Sequence, residues 1–391
     1  MNHLEIKPKE IRKNKIYLSS PHMGTLEKVF VEEAFETNWV APLGPNVDRF
    51  ESEVADYIRV GGSLALSSGT AAIHLALKLL DIKANDLVFC SSLTFAASCN
   101  PIIYEGGEAV FIDSEPESYN MSPIALEKAF KYYEDLNRKP KAVIVVHLYG
   151  QSADMDKIME ICDKYDVPII EDAAESLGAT YKGKVTGTIA KYGIYSFNGN
   201  KIITTSGGGM LVSNDLEGIQ KAKFWATQAK EKELYYHHKE IGYNYRMSNI
   251  VAGIGRGQLR VLEERIREKK AIFEAYEDGF KDIDEISMLP VCDYGKPNYW
   301  LSVMLISEES TIKPLDIIQV LEKENIESRY IWKPMHLQPI FENNKFFKHD
   351  DTEESVSETL FNRGVCLPSD TKNTDEDMER IISIITRLFS R

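Results

Sequence analysis

Four short stretches carry residue types that could do chemistry together. The first, Leu66-Ser67-Ser68-Gly69-Thr70-Ala71-Ala72, runs from an apolar strand signal into a helical one. Small side chains let the backbone approach a ligand there, and the unpaired N–H groups of a helix start favour a phosphate. Capping of the helix by Ser or Thr accounts for the same residues. The second, Ile169-Ile170-Glu171-Asp172-Ala173-Ala174-Glu175, ends an apolar run on carboxylates. Open α/β sheets bind ligands at the carboxyl ends of their strands, and Asp172 there could hold a proton on a pyridine nitrogen. A helix cap or a metal carboxylate would use the same residues.

The third stretch is Tyr195-Ser196-Phe197-Asn198-Gly199-Asn200-Lys201, followed by Thr204-Thr205-Ser206-Gly207-Gly208-Gly209. Most lysines are solvated, but this one sits among small residues after a strand signal, and the glycines admit a bulky group. An amine in that setting forms an imine with an aldehyde and then moves protons between carbon atoms. The fourth, Tyr243-Asn244-Tyr245-Arg246-Met247-Ser248-Asn249, precedes a long helical run, where Ser248 or Asn249 would also serve as a cap. A short-chain dehydrogenase needs a tyrosine four residues before its lysine; Phe197 occupies that position and has no hydroxyl. Gly253, Gly255 and Gly257 hint at a dinucleotide loop but follow no strand, so a helix–helix contact explains them better.

The elements that must position these residues can be read from residue 63 onward. Apolar runs at 64–66, 87–90, 109–112, 142–147, 168–171, 192–196 and 210–212 alternate with helical periodicity at 71–80, 123–134 and 155–165. Continuous apolar strands separated by helices predict an α/β fold whose largely parallel sheet is covered on both faces. Beyond Asn214 the pattern changes to helices at 215–229 and 248–280, a turn at 293–297, a strand at 299–306 and helices at 314–324 and 375–389. We place a large domain at 1–250 and a smaller α+β domain at 251–391 that includes the bridging helix.

The 391 residues carry a net charge of −14, which argues against a nucleic-acid partner, since phosphate neutralisation needs a basic face. An anionic substrate must therefore be held by local cations. No apolar run approaches the roughly 18 residues of a membrane span, and residues 1–10 lack the apolar core of a signal peptide, so no membrane association and a cytoplasmic location are expected. The five cysteines form no CxxC pair and lie beside apolar residues, which reads as buried thiols. No His/Cys/Asp cluster has metal-ligand spacing.

In their order, the four stretches resemble the DegT/DnrJ/EryC1/StrS family of sugar aminotransferases, within the fold type I enzymes that use pyridoxal 5'-phosphate (PLP). Thr37-Asn38-Trp39-Val40-Ala41-Pro42-Leu43-Gly44-Pro45 with Phe50-Glu51, and later Tyr330 with Lys333-Pro334-Met335-His336, extend the likeness over nearly the whole chain. The resemblance implies a mostly parallel mixed seven-stranded sheet between helices plus a C-terminal α+β domain. It implies Lys201 as the residue that bonds the cofactor and shuttles protons, and Asp172 as the partner of the pyridinium nitrogen. Gly69, Thr70 and Ser196 would bind the cofactor phosphate, with Asn249 reaching across from a second subunit, and Phe95 would stack on the ring. Glu175 departs from the glutamine common in the family; a carboxylate near the cofactor's phenolic oxygen is repelled unless protonated or turned aside. Trp39, Tyr330, Lys333 and His336 fall on the substrate side, although an exposed lysine and a core histidine would look the same.

The implied reaction moves an amino group from L-glutamate to a nucleotide-linked keto-sugar. The closest subgroup in appearance aminates C4 of UDP-4-keto-6-deoxy-N-acetylglucosamine, as in bacillosamine-type glycan pathways, and works as a homodimer. Amination at C3, another nucleotide, or a non-catalytic regulatory protein that binds PLP are the alternatives.

Overall fold

The computed structural model describes residues 15–390, so the leader reading at residues 1–10 lies outside them. The seven apolar runs all form strands of one sheet, in the order 62–66, 209–213, 192–196, 169–172, 142–146, 87–91 and 108–112. Only Gly209–Ser213 runs antiparallel to its neighbours on both sides; the other strands from Tyr192–Ser196 to Glu108–Ile112 pair in parallel. Every residue of Ala142–Val146 and Ile169–Asp172 is buried, because helices cover both faces of the sheet.

The sheet has eight strands rather than seven. Phe346–Phe347, from far along the chain, adds in parallel to the edge strand Glu108–Ile112. Two residues carry no periodic signal. The pair is held by Asp113 N–H donating to Phe347 O (3.0 Å) and by Phe347 packing edge-on against Tyr132.

The helical run at 248–280 is two helices, Asn249–Leu259 and Leu262–Phe280. The first packs on two N-terminal helices, Leu26–Glu36 and Pro45–Ile58, that periodicity did not reveal. The glycines at 253, 255 and 257 make that packing possible. A Cβ at Gly255 would strike the Phe50 ring, and one at Gly257 would strike the backbone of Glu27. The turn at 293–297 contains a short strand, Gly295–Lys296, paired with Thr180–Tyr181.

A second sheet, antiparallel throughout, runs 286–288, 302–306, 364–367, 329–330. The strand expected from Tyr299 begins at Ser302, since Tyr299 has φ 55° and breaks the extended run. Ile16 bridges to Ile326, and its side chain joins Tyr276, Phe280, Met304, Val365, Ile381 and Ile385 in the core beside this sheet. Among the described residues no helix is long and apolar enough to cross a membrane.

Candidate active site

The carboxyl ends of the parallel strands open into a cavity of about 500 Å³. Gly69, Thr70, Phe95, Asp172, Glu175, Ser196 and Lys201 all line it, so three of the four stretches meet there. The helix Gly69–Leu79 points its first turn at the cavity. Ser68 caps it by accepting from Ala71 N–H (3.0 Å), while the N–H groups of Gly69 and Thr70 have no acceptor among the described residues. Capping by Ser68 thus leaves two N–H groups of this helix start free for an anion. Gly209 is required behind it, because a Cβ there would overlap Gly69 N and the Ser68 carbonyl, whereas Gly207 faces open space.

Asp172 ends its strand 5% exposed. Its Oδ1 accepts from Ala174 N–H (3.1 Å) and its Oδ2 from the Ser98 hydroxyl (2.6 Å). Ser98 spends its proton on Asp172, so the Thr94 hydroxyl at 2.7 Å donates to Ser98 in turn. The carboxylate is held in one orientation by these two donors.

Lys201 sits in the loop after Tyr192–Ser196 with its Nζ 4.0 Å from the centre of the Trp300 ring. Removal from water pushes its amine below the ordinary lysine range, against the opposing pull of Glu175 and then Asp172. A less basic amine is a better nucleophile at neutral pH. Glu175 is 5% exposed, and both its oxygens are engaged: Oε2 accepts from Tyr149 N–H (2.7 Å) and Oε1 from Trp332 Nε1–H (3.0 Å). Burial raises its pKa, which the Lys201 charge resists. The carboxyl is therefore turned onto fixed N–H donors, and burial makes it easier to protonate than a solvated glutamate.

Tyr149 holds a left-handed backbone (φ 50°, ψ 22°), unusual for a residue with a Cβ and a common mark of functional sites. Its ring stacks between Trp300 and Trp332, at 6.2 and 6.1 Å. The fully buried Asn298 ties this layer together, donating to Glu175 O (3.0 Å) and accepting from Trp300 N–H (2.9 Å).

A buried amine of lowered basicity, a fixed carboxylate and a helix start with free N–H groups are the residue types that fit PLP. Residues 21–386 match the DegT/DnrJ/EryC1/StrS aminotransferase family. The chain belongs to that family. Its cofactor is PLP. The aminotransferase is 52% identical over 375 residues to the putative pyridoxal phosphate-dependent aminotransferase EpsN of Bacillus subtilis (strain 168), covering 96% of each chain. It is 32% identical to the GDP-perosamine synthase of Caulobacter vibrioides, over 96% of this chain and 98% of that one. The solved structure of the putative sugar aminotransferase Spr1654 from Streptococcus pneumoniae, in its PMP form, superposes with a TM-score of 0.88 at 26% identity, covering 96% of this chain and 98% of that one.

Five sequence-predicted residues of the aminotransferase do not line the cavity. Asn249 is 1% exposed and bonded within its own chain. Its Oδ1 accepts from Asn46 N–H (2.8 Å) and Val47 N–H (3.3 Å), and its Nδ2 donates to Trp39 O (3.0 Å). It closes the start of the helix Pro45–Ile58, with its oxygen and one amide hydrogen spent inside its own chain. The exposed amide of that stretch is Asn244, which lines a separate groove with Trp39. His336 lies behind the site, its Nδ1 2.6 Å from Ser92 Oγ, its Nε2 3.1 Å from Glu358 and its ring stacked on Phe346. Burial lowers its pKa despite Glu358. It is the core histidine that the sequence allowed.

Lys333 is exposed outside the cavity, and Tyr330 packs toward Phe361. Their neighbours Arg329 and Trp332 line the cavity instead. Ser98, Tyr149 and Trp300 also escaped the sequence reading. Ser98 stands three residues beyond Phe95 and Trp332 lies inside a quoted motif, so proximity could have flagged both; nothing local marks Trp300.

Proposed function

We propose that this aminotransferase moves an amino group from L-glutamate to a nucleotide-linked keto-sugar in two half-reactions, with C4 of UDP-4-keto-6-deoxy-N-acetylglucosamine as the acceptor, in surface glycan biosynthesis. The observation that carries the reading is one cavity lined by Lys201, Asp172, Glu175 and the start of the helix Gly69–Leu79.

PLP, when bound, supplies an aldehyde and an electron-withdrawing ring. Lys201 would hold the cofactor through that aldehyde and would serve as the base that moves the proton in each half-reaction. Asp172 would hold the proton on the ring nitrogen, with Ser98 fixing the carboxylate. Gly69 and Thr70 offer backbone N–H groups to the phosphate, and Ser196 a hydroxyl. Phe95, 55% exposed and lining the cavity, supplies an aromatic face to the ring. Arg329 is the one guanidinium lining the cavity among the described residues and supplies a local cation for an anionic substrate in an acidic chain.

A homodimer belongs to this reading. Trp39, Leu43, Leu234, Tyr235, Tyr236 and Ile241 are exposed apolar side chains, and such surfaces favour association. A cytoplasmic location suits a nucleotide-sugar substrate. The UDP-4-keto acceptor rests on the look of residues 196–205 and 330–336. A GDP-linked sugar is the second reading, favoured by the likeness to a GDP-perosamine synthase.

The purified protein with PLP and glutamate should release 2-oxoglutarate in the presence of a UDP- or GDP-linked 4-keto-6-deoxy sugar, and mass and proton NMR of the product should locate the new amine. No 2-oxoglutarate with any member of such a panel sinks the proposal. Lys201→Ala should abolish both the visible band of the lysine-bound cofactor and turnover. A protein that shows no such band even with PLP added would instead be a non-catalytic binder.

A further inference from the structure

Beside the cavity-lining Trp300 lies a buried amine that the proposed reaction does not use. Lys269, on the helix Leu262–Phe280, is 3% exposed. Its Nζ donates to Ser369 O (2.7 Å), Trp300 O (2.9 Å) and Ser19 Oγ (3.3 Å), three acceptors for an ammonium's three protons. Two of these acceptors belong to residues that converge on a single oxygen. The carbonyl of Asn200 accepts from Ser19 Oγ (3.0 Å) and from Trp300 Nε1 (2.7 Å). Asn200 immediately precedes Lys201, and the Trp300 ring lies under the Lys201 amine.

We propose that Lys269 is a positioning residue for Lys201, acting through Ser19 and Trp300 on the Asn200 carbonyl. The proposal rests on the reading of Lys201 as the amine that captures the cofactor. Burying an ammonium costs stability unless it is fully hydrogen-bonded, and an apolar side chain of similar length would fill the same space without that cost. The charge has a use here because it joins three separate segments: the chain near Ser19, the loop at 298–301 and the loop at 368–371. The other charged groups around it are Arg265 and Glu268 on its own helix, Asp370 and Lys372 on the last loop, and His22 on the N-terminal segment. None of them donates to the Asn200 carbonyl among the described residues.

The test compares Ser19→Ala and Lys269→Met with the unaltered protein, each stripped of cofactor. Two quantities are measured: the rate at which added PLP forms its visible band, and the affinity for 4′-deoxypyridoxine phosphate, an analogue with the ring and phosphate but no aldehyde. Misplacing an attacking group by a fraction of an ångström costs about tenfold in rate or more, so capture should slow about tenfold in Lys269→Met and by a smaller factor in Ser19→Ala. Affinity for the analogue should stay within about twofold, because the groups that bind ring and phosphate are untouched. Unchanged capture in the folded variants overturns the proposal, and so does an equal loss of capture and analogue affinity, which would mean general damage to the site. Should Lys269→Met fail to fold, Ser19→Ala alone decides, since its only loss is the hydroxyl that bridges Lys269 to Asn200. If the unaltered protein forms no band, the reading of Lys201 falls first and takes this one with it.

Discussion

The hydroxyl of Ser98 donates to Oδ2 of Asp172 at 2.6 Å, joining a short helical turn after the strand Leu87–Ser91 to the carboxyl end of the strand Ile169–Asp172. The two residues are 74 positions apart, and both line the cavity. Because the serine spends its proton there, the carboxylate is fixed in direction before any cofactor arrives.

Ser98→Ala should therefore lower kcat/KM by about tenfold, the worth of a hydrogen bond to a charged group, while PLP still binds. Asp172→Asn should lower it by about a hundredfold or more, since a fixed charge beside the reacting ring is lost. Steady-state kinetics with glutamate as donor measure both. A larger effect from Ser98→Ala than from Asp172→Asn contradicts the order of roles.

Glu175 opposes the burial effect that lowers the Lys201 pKa. Replacing it by glutamine removes that opposing charge, so the lysine pKa should fall further and the amine should be neutral at lower pH. The capture rate of PLP by the cofactor-free protein, followed against pH, should rise earlier in Glu175→Gln. An unchanged pH profile would show that the carboxylate is already protonated or that its field does not reach the amine.

Gly209→Ala places a methyl group against Gly69 N and the Ser68 carbonyl. Overpacking of this kind costs roughly 1–3 kcal/mol, and the strain falls on the helix start that faces the cofactor phosphate. Thermal unfolding should drop by several degrees, and the affinity for PLP should weaken with it. An unchanged melting temperature would mean the strand can move away from the helix.

Burial lowers Lys269 to about 7, well below the value of a lysine in an unfolded chain. Between those two pKa values the unfolded state binds the extra proton, so stability contributed through this group rises as pH increases from about 7 towards 10, with a limiting slope of about 1.4 kcal/mol per pH unit. The cost of burying the charge is fully present below pH 7. Urea unfolding at a series of pH values should show stability of the unaltered protein rising relative to Lys269→Met across this window. Parallel curves would mean that the ammonium stays protonated in the fold.

Asn249→Ala should destabilise the fold by about 1–2 kcal/mol through loss of the contacts at the start of the helix Pro45–Ile58. Affinity for PLP measured on the folded variant should change little. A selective loss of cofactor at unchanged stability would restore Asn249 to the phosphate site.

Local sequence determined the strands and the residues at their ends. Continuous apolar runs such as Ala142–Val146 have no other way to bury themselves than between covering helices, and Asp172 and Lys201 follow directly from where such runs stop. That is why the seven strands, Asp172 and Lys201 were legible from pattern, while Phe95, which also lines the cavity, was reached only through the family resemblance. Only tertiary structure decided the remainder. The edge strand Phe346–Phe347 is too short to have a period, and the helices Leu26–Glu36 and Pro45–Ile58 are settled by packing against the glycine face of Asn249–Leu259. Which neighbour faces the cavity at 329–336 depends on how a two-residue strand sits in its sheet, so Arg329 and Trp332 face it while Lys333 and His336 do not. Asn249 and Asn244 are five residues apart and chemically alike; burial alone assigned one to holding a helix and left the other exposed. Hydrogen bonds between distant segments, such as those from Ser19 and Trp300 to Asn200, leave no trace in local pattern because neither partner's type is unusual where it stands.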